Sequence, residues 1–354
     1  MDIPKYDGSI HPDEWLNDLQ KYFRLKRIEF YLDDAISLVD FNINLPTGID
    51  NIEKLRNALK ENIFFTVFKN TNKRKLQSLK YIPESRGGDT SKFILNFVKL
   101  CYNAEINDIE EQKEFLYKSL PMNHFNFISN ESYNKMKNVN SINELIKEFE
   151  DIVAEESILI KNESIVALNH VTTGKYLSSI KSLCYTTGSK KQLVFVGGSG
   201  PDPNSLWRIK FNKELAVYGD TSITLQHIKT NYSLGIRRYN YYSRYPCYKS
   251  PVTEHTEVSC CNNIGIPYWT ENWKFDHSKL QNHQGYLKSN DIINLSINKE
   301  YNNNVDIFLR SHDVQFTIGN DTFQEVVCHG ERLGGNDEWC IKLIKQYITA
   351  DIFT

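Results

Sequence analysis

Over roughly the first 155 residues the apolar positions recur every three to four residues, and beyond residue 160 they recur every second residue. That change of period predicts helices first and strands afterwards. Trp15, Leu16, Leu19, Tyr22 and Phe23 form one helical stripe, preceded by Pro12, Asp13 and Glu14 as a first turn. Phe93, Ile94, Phe97, Val98 and Cys101 form a second after the breaker GGDT, where Thr90 is placed to cap. Asp108 and Glu111 stand three apart, as in a capping box, ahead of Phe115, Leu116 and Leu120, and Pro121 ends that helix. Leu145, Ile146 and Phe149 lead into the acidic FEDIVAEES, a last helix expected to end near Ile160. Stripes of this kind face a core, so residues 1–155 read as an all-α helical domain.

The second part, residues 160–350, spells one unit three times, over about 160–213, 217–279 and 286–345. Leu168-x-His170, Leu225-x-His227 and Leu295-x-Ile297 open the copies, and Leu177, Leu234 and Leu309 follow a turn. Gln192-Leu-Val194, Thr256-Glu-Val258 and Gln324-Glu-Val326 form a third element; Trp207-x-Ile209, Trp273-x-Phe275 and Trp339-x-Ile341 close each copy. One copy has too few apolar residues to bury its own face, so the three must share a core. Four strands per copy predict twelve strands in an all-β β-trefoil, with Leu168, Trp207, Leu225, Trp273, Leu309 and Trp339 converging on its axis. Gly174 and Asn231 fall where a hairpin loop needs positive φ. The fold class is therefore multidomain α + β.

Two resemblances follow from these residues. The line through ALNHVTTGKYLSS, KQLVFV and LWRIKF, repeated later in FLRSHD, QEVVCHG and DEWCIKLI, is similar to the MIR module of protein O-mannosyltransferases, inositol trisphosphate receptors and ryanodine receptors. That resemblance implies a MIR-type trefoil serving in binding or interdomain contact. The second copy departs through the insert RRYNYYSRYPCYKSPVTEH, and the third has no histidine after its first leucine. The opening IPKYDGSIHPDEWLNDLQKYF and the later FILNFVKLCYNAEINDIEEQKEFLYKSLP resemble the Gag capsid region of long-terminal-repeat retrotransposons, over residues 3 to 128. This implies a retrotransposon-derived, Gag-like module able to self-associate as a homo-oligomer. A zinc knuckle and an Asp-Thr-Gly or Asp-Ser-Gly triplet are both missing from the sequence.

Composition narrows the picture further. The chain has 354 residues, 24% charged and 40% hydrophobic, with a formal net charge of -2, so no global charge draws it to nucleic acid or membrane. No apolar run is long enough to span a bilayer. The amino terminus MDIPKYDGSIHPDEW lacks the marks of a secretory signal, so the expected setting is cytoplasmic, with the seven cysteines reduced. The basic run KNTNKRK, Lys69 to Lys75, reads as a solvated turn between helices, with phosphate contact as the alternative.

Candidate chemistry is sparse. His170 and His227 share a phase and are expected to hydrogen-bond backbone. Cys247, His255, Cys260, Cys261, His277 and His283 lack the tight pair spacing of a zinc site, so no metal is expected. The glycine-rich VGGSGPDPNS has no Gly-Lys-Ser ending and reads as a β-connection. In the second-copy insert, Arg237, Arg238, Tyr239, Tyr242 and Arg244 interleave guanidinium groups with aromatic faces and form the candidate ligand-binding set, with Tyr241 and Tyr245 beside them. No catalytic set and no cofactor motif is present, so no enzyme is expected. The expectation is a soluble binding module for a glycan, a peptide or a phosphorylated ligand; the alternatives are a capsid-like scaffold and a weak nucleic-acid binder.

Overall fold

A computed structural model describes residues 5–121, 127–238, 247–262, 267–281, 283–299, 305–330 and 333–346. The chain divides into two compact units, Met1–Glu156 and Ser157–Thr354. Among the described residues, no helix is long and apolar enough to cross a membrane.

Eight α-helices are described: α1 Pro12–Lys26, α2 Leu32–Ser37, α3 Ile52–Glu61, α4 Ile63–Ser78, α5 Thr90–Asn103, α6 Ile109–Ser119, α7 Phe127–Lys135 and α8 Ile142–Ser157. The α1 stripe does bury: Trp15, Leu16, Leu19 and Phe23 pack with Tyr6, Ala35, Leu55 and Leu59. His11 caps α1, its Nδ1 accepting from the Asp13 amide at 3.2 Å, with Pro12 in the first turn where its missing N–H costs nothing. Two local expectations change. The cap of α5 is Asp89, whose carboxylate accepts from the Lys92 amide at 2.8 Å, while Thr90 is the first helical residue and its hydroxyl meets that of Tyr81. The run from Lys69 to Lys75 lies inside α4 and is not a turn, because Asn62 caps that helix and Phe65 and Leu76 bury along it. There Lys69 pairs with Glu105 at 3.0 Å and Lys73 with Glu111 at 2.8 Å, which leaves less charge free for phosphate.

The second unit is a β-trefoil. Copy one contributes β1 Ile165–His170, β2 Tyr176–Cys184, β3 Gln192–Gly197 and β4 Trp207–Lys210. Copy two contributes β5 Thr224–His227, β6 Ser233–Arg237, β7 Thr256–Glu257, β8 Ser259–Cys261, β9 Trp269–Thr270 and β10 Lys274–His277; copy three contributes β11 Ile292–Asn298, β12 Asp306–Ile318, β13 Asp321–His329 and β14 Trp339–Lys345. The first and last strands of each copy close a six-stranded barrel. Trp207 of β4 lies opposite Val166 of β1 and His227 of β5, Phe275 of β10 opposite Leu295 of β11, Trp339 of β14 opposite Ile293 of β11 and His170 of β1. Ile223 and Trp273 complete the ring by exchanging two backbone hydrogen bonds of 2.8 Å. The middle strands form three hairpins, β2 with β3, β6 with β8 and β12 with β13, and β3 pairs laterally with both β8 and β13.

Fourteen strands are described against the twelve expected. In copy two the third strand is shared between neighbours, Thr256–Glu257 pairing with β13 and Ser259–Cys261 with β3 and β6, so it breaks at Val258. The extra β9 lies against Gly235, where a Cβ would fall 2.2 Å from the Thr270 carbonyl. Gly174 and Asn231 do take positive φ, 68° and 57°, as the hairpin turns require.

The tryptophans carry the pseudosymmetry into the core. Trp207, Trp273 and Trp339 are fully buried, and each indole N–H donates at 2.9 Å to the carbonyl of the repeated leucine of its own copy, Leu177, Leu234 and Leu309. Leu168, Leu225 and Leu309 are buried in the same cluster. His170 and His227 also act alike. Their Nε2 atoms lie 3.0 and 3.2 Å from the carbonyls of Asn336 and Asn204, each three residues before a core tryptophan. Since a carbonyl only accepts, Nε2 carries the proton and Nδ1 accepts from Thr173 or Thr230, at 2.9 and 3.0 Å. Burial pushes both imidazoles below their ordinary pKa, in keeping with this neutral form.

A further repeat interlocks the hairpins. Glu257 and Glu325 occupy one position in copies two and three, both buried, and each reaches the hairpin tip of the preceding copy. Glu257 accepts from the Ser189 amide at 3.0 Å and from its hydroxyl; beside it Gly188 has φ 59°, and a Cβ there would strike the carboxylate. Glu325 accepts from the Val252 amide at 3.0 Å and the Thr253 hydroxyl at 2.7 Å, with His312 at 3.6 Å. In copy one the position is Leu193, packed with Tyr185, Phe195, Phe316 and Phe323.

The two glutamates titrate in opposite directions. Burial raises Glu257 to about 7, its hydrogen bonds offsetting only part of the effect. Burial also opposes ionisation of Glu325, but His312, Thr253 and the Val252 amide outweigh it and hold the group at about 2. Stability contributed by Glu257 is present below its unfolded value of 4.5 and is lost as pH rises through about 7. Stability contributed by Glu325 is present above 4.5 and is lost as pH falls towards about 2. Unfolding midpoints measured from acid to neutral pH should therefore show Glu257→Gln gaining on the parent as pH rises, and Glu325→Gln losing most at neutral pH and nothing in strong acid. Parallel curves for all three proteins would contradict the assignment.

Candidate functional site

Grooves open between successive copies, where the hairpin of one meets the first turn and hairpin of the next. The pseudosymmetry makes them comparable position by position, since Lys191, His255 and Phe323 precede the aligned Gln192, Thr256 and Gln324. The turn residues correspond too, because His170 and His227 each bond the carbonyl closing the turn, that of Lys175 and of Tyr232, at 2.8 Å.

The groove between copies three and one has a volume of about 660 Å³. Phe195 and Phe323, packed edge to face with centroids 4.9 Å apart and nearly buried, line it beside the half-buried Ile180 and Leu183, and Asn204, Gln315, Asp202 and Asp321 supply amides and carboxylates. Its floor is fixed by Gln324, which donates to Ser311 at 3.1 Å and accepts from Lys175 at 2.7 Å. The groove between copies one and two has a volume of about 400 Å³ and the same kind of floor, Gln192 donating to Ser179 at 2.6 Å. Its walls are different: Lys181, Lys190, Lys191 and Lys229 line it together with Tyr232 and Asn262, and among the described residues no carboxylate does. Lys191 stands where the other groove has Phe323. At the junction of copies two and three the same position is His255, whose ring lies edge-on to His329 with centroids 4.5 Å apart.

The sequence placed its candidate site elsewhere. Arg237 ends β6, its guanidinium stacked over Tyr248 with Nη1 donating to the phenol oxygen at 2.8 Å, and Arg238 donates to the Thr270 hydroxyl at 3.0 Å. Tyr239, Tyr241, Tyr242, Arg244 and Tyr245 lie outside the described residues. The His/Cys set of residues 247–283 is dispersed: Cys260 and Cys261 are buried in β8, His277 and His283 pack around Tyr218, and His255 faces His329. Among the described residues, no group of three or more His, Cys, Asp or Glu side chains could hold a metal ion. All seven cysteines are unpaired, with burial raising the thiols of Cys101 and Cys261 to about 12. VGGSGPDPNS connects β3 to β4 as expected. The groove lysines were missed, although a signal exists: between Glu163 and Asp202 the chain has lysines but no acidic residue.

No family model matches the chain, and no curated protein matches it in sequence. Solved structures do show likenesses. The SDF2-like protein from Arabidopsis thaliana is 24% identical over 52% of this chain and 94% of its own, with a TM-score of 0.42. The S. cerevisiae protein O-mannosyltransferase Pmt1-Pmt2 complex bound to the sugar donor is 16% identical over 79% of this chain and 43% of its own, at 0.41. The designed 3-fold symmetric protein ThreeFoil is 13% identical over 50% of this chain and 97% of its own, at 0.30. The trefoil assignment itself rests on the closed barrel and the threefold indole bonds.

Proposed function

We propose that the carboxyl-terminal unit is a non-catalytic, MIR-like binding module that takes a glycan in the groove between copies three and one. The observation that carries this reading is the lining of that groove. A sugar ring presents C–H faces that pack on apolar carbon, and hydroxyls that both donate and accept; the apolar wall of Ile180, Leu183, Phe195 and Phe323 offers the first kind of contact, and Gln315, Asn204, Asp202 and Asp321 the second. A peptide lacks the dense hydroxyl pattern that so many side-chain amides and carboxylates would serve. The helical unit, by its Gag-like resemblance, would add self-association and so make weak binding multivalent.

A glycan array probed with the full chain tests the reading. Hits are expected, and Gln315→Ala with Asp321→Ala should weaken them about tenfold, the loss of one to two hydrogen bonds at about 1 kcal/mol each. Binding unchanged in that variant, or an array without hits, would remove it.

A further inference from the structure

We propose that the groove between copies one and two is an anion site, taking the phosphate or sulfate ester group of a small ligand. The inference rests on the reading of this unit as a binding module but uses a different groove. Lys181, Lys190 and Lys191 of copy one line it together with Lys229 of copy two, whose Nζ also donates to Asn204 at 2.8 Å, and among the described residues no carboxylate lines the space. Elsewhere in the molecule lysines at contact points meet acids, as Lys213 meets Asp220 and Lys274 meets Asp306. Like charges gathered in a concavity repel one another, and low-dielectric walls focus their field, so the groove attracts anions. The flexible ammonium groups act as point charges that can arrange themselves around a tetrahedral oxyanion.

Polar groups that can complete such a site are present. Ser182, Thr230 and Asn262 line the same space. Two lining residues, Ser182 and Lys190, hold left-handed backbone, φ 69° and 55°, a conformation L-residues with a Cβ seldom adopt. The hairpin tip is thus kept in an unfavourable shape at the two points flanking the groove. The equivalent groove between copies three and one, with Phe323 for Lys191 and Thr322 for Lys190, has no comparable charge, so the lysines are not a requirement of the trefoil frame.

The test is calorimetric titration of the full chain with pyrophosphate and, separately, with a sulfated disaccharide, each at low and at physiological salt. Saturable binding is expected, weakening as salt screens the lysines. Lys190→Gln with Lys191→Gln should reduce affinity at least about tenfold, with Lys213→Gln as an unaffected control. The double variant should unfold at no lower temperature than the parent, because it relieves repulsion; lost binding from misfolding would be recognised by a lowered midpoint, and Lys229→Gln would then replace it. The relative affinities of the two probes distinguish a phosphate site from a sulfate site, and a pH series with phosphoserine as a third probe should show affinity rising as its second proton leaves near pH ~6, a step the sulfated disaccharide lacks. No binding of either probe, or binding indifferent to both lysine variants, overturns the proposal. Retained anion binding alongside a blank array of neutral glycans would instead remove the glycan reading and leave this one standing.

Discussion

Replacing Trp339 by alanine is expected to cost the trefoil about 4 to 5 kcal/mol, close to the whole stability of many domains of this size. The loss has two parts. The first is the apolar volume, since Trp339 is fully buried and packs in one cluster with Leu168, Leu309 and Ile341. The second is the Leu309 carbonyl, which accepts the indole N–H at 2.9 Å and would be left buried without that donor, at about 1 to 3 kcal/mol. Trp339→Phe separates them, because it keeps most of the volume and removes only the donor, and should cost about half as much. Because Trp207 and Trp273 make the same bond at the same distance, Trp207→Phe and Trp273→Phe should match Trp339→Phe within about 1 kcal/mol. Urea unfolding followed by fluorescence of the remaining tryptophans measures all four. A Trp339→Ala protein as stable as its parent would mean that the three indoles do not share a core.

This regularity was legible in the sequence because it was written three times. The phase of Trp207, Trp273 and Trp339 against the leucines needed only alternation and alignment to read, and the same alignment put His170 and His227 together. What stayed hidden depends on contacts between copies. Glu257 and Glu325 look like solvent-facing strand positions, since nothing local says that a neighbouring hairpin tip will offer Ser189 or Thr253 to a buried carboxylate. Lys229 is remote from Lys191 along the chain, so the charge of their groove exists only once the barrel has closed. The break at Val258 follows from one strand serving two partners, which periodicity cannot express. In the helical unit the stripes are readable, but the run Lys69 to Lys75 resembles a turn in sequence because its charge conceals the helical repeat of Phe65, Asn72 and Leu76.

Asp337→Ala should destabilise the trefoil by about 3 to 5 kcal/mol, the cost of breaking a buried ion pair. Asp337 is fully buried and accepts from Arg310 through both Nε, at 2.8 Å, and Nη2, at 2.7 Å. The fixed fork of the guanidinium matches the carboxylate, and the Gly334 amide, at 2.7 Å, fills a further acceptor position. Removing the carboxylate takes two charge-assisted hydrogen bonds from a largely buried guanidinium. It also loosens the turn Gly335–Asp337, which presents the Asn336 carbonyl to His170, so the damage reaches the next copy. A buried pair is seldom worth much against an apolar replacement, because two desolvated charges offset most of their own attraction. Arg310→Met combined with Asp337→Asn, which keeps an acceptor for Gly334, should therefore be more stable than Asp337→Ala alone, recovering about 2 kcal/mol. The cycle of parent, Arg310→Met, Asp337→Asn and their double variant measures the coupling directly; if the two substitutions simply add, Arg310 and Asp337 are not the linked pair described, and the loop ahead of the third tryptophan is held by something else.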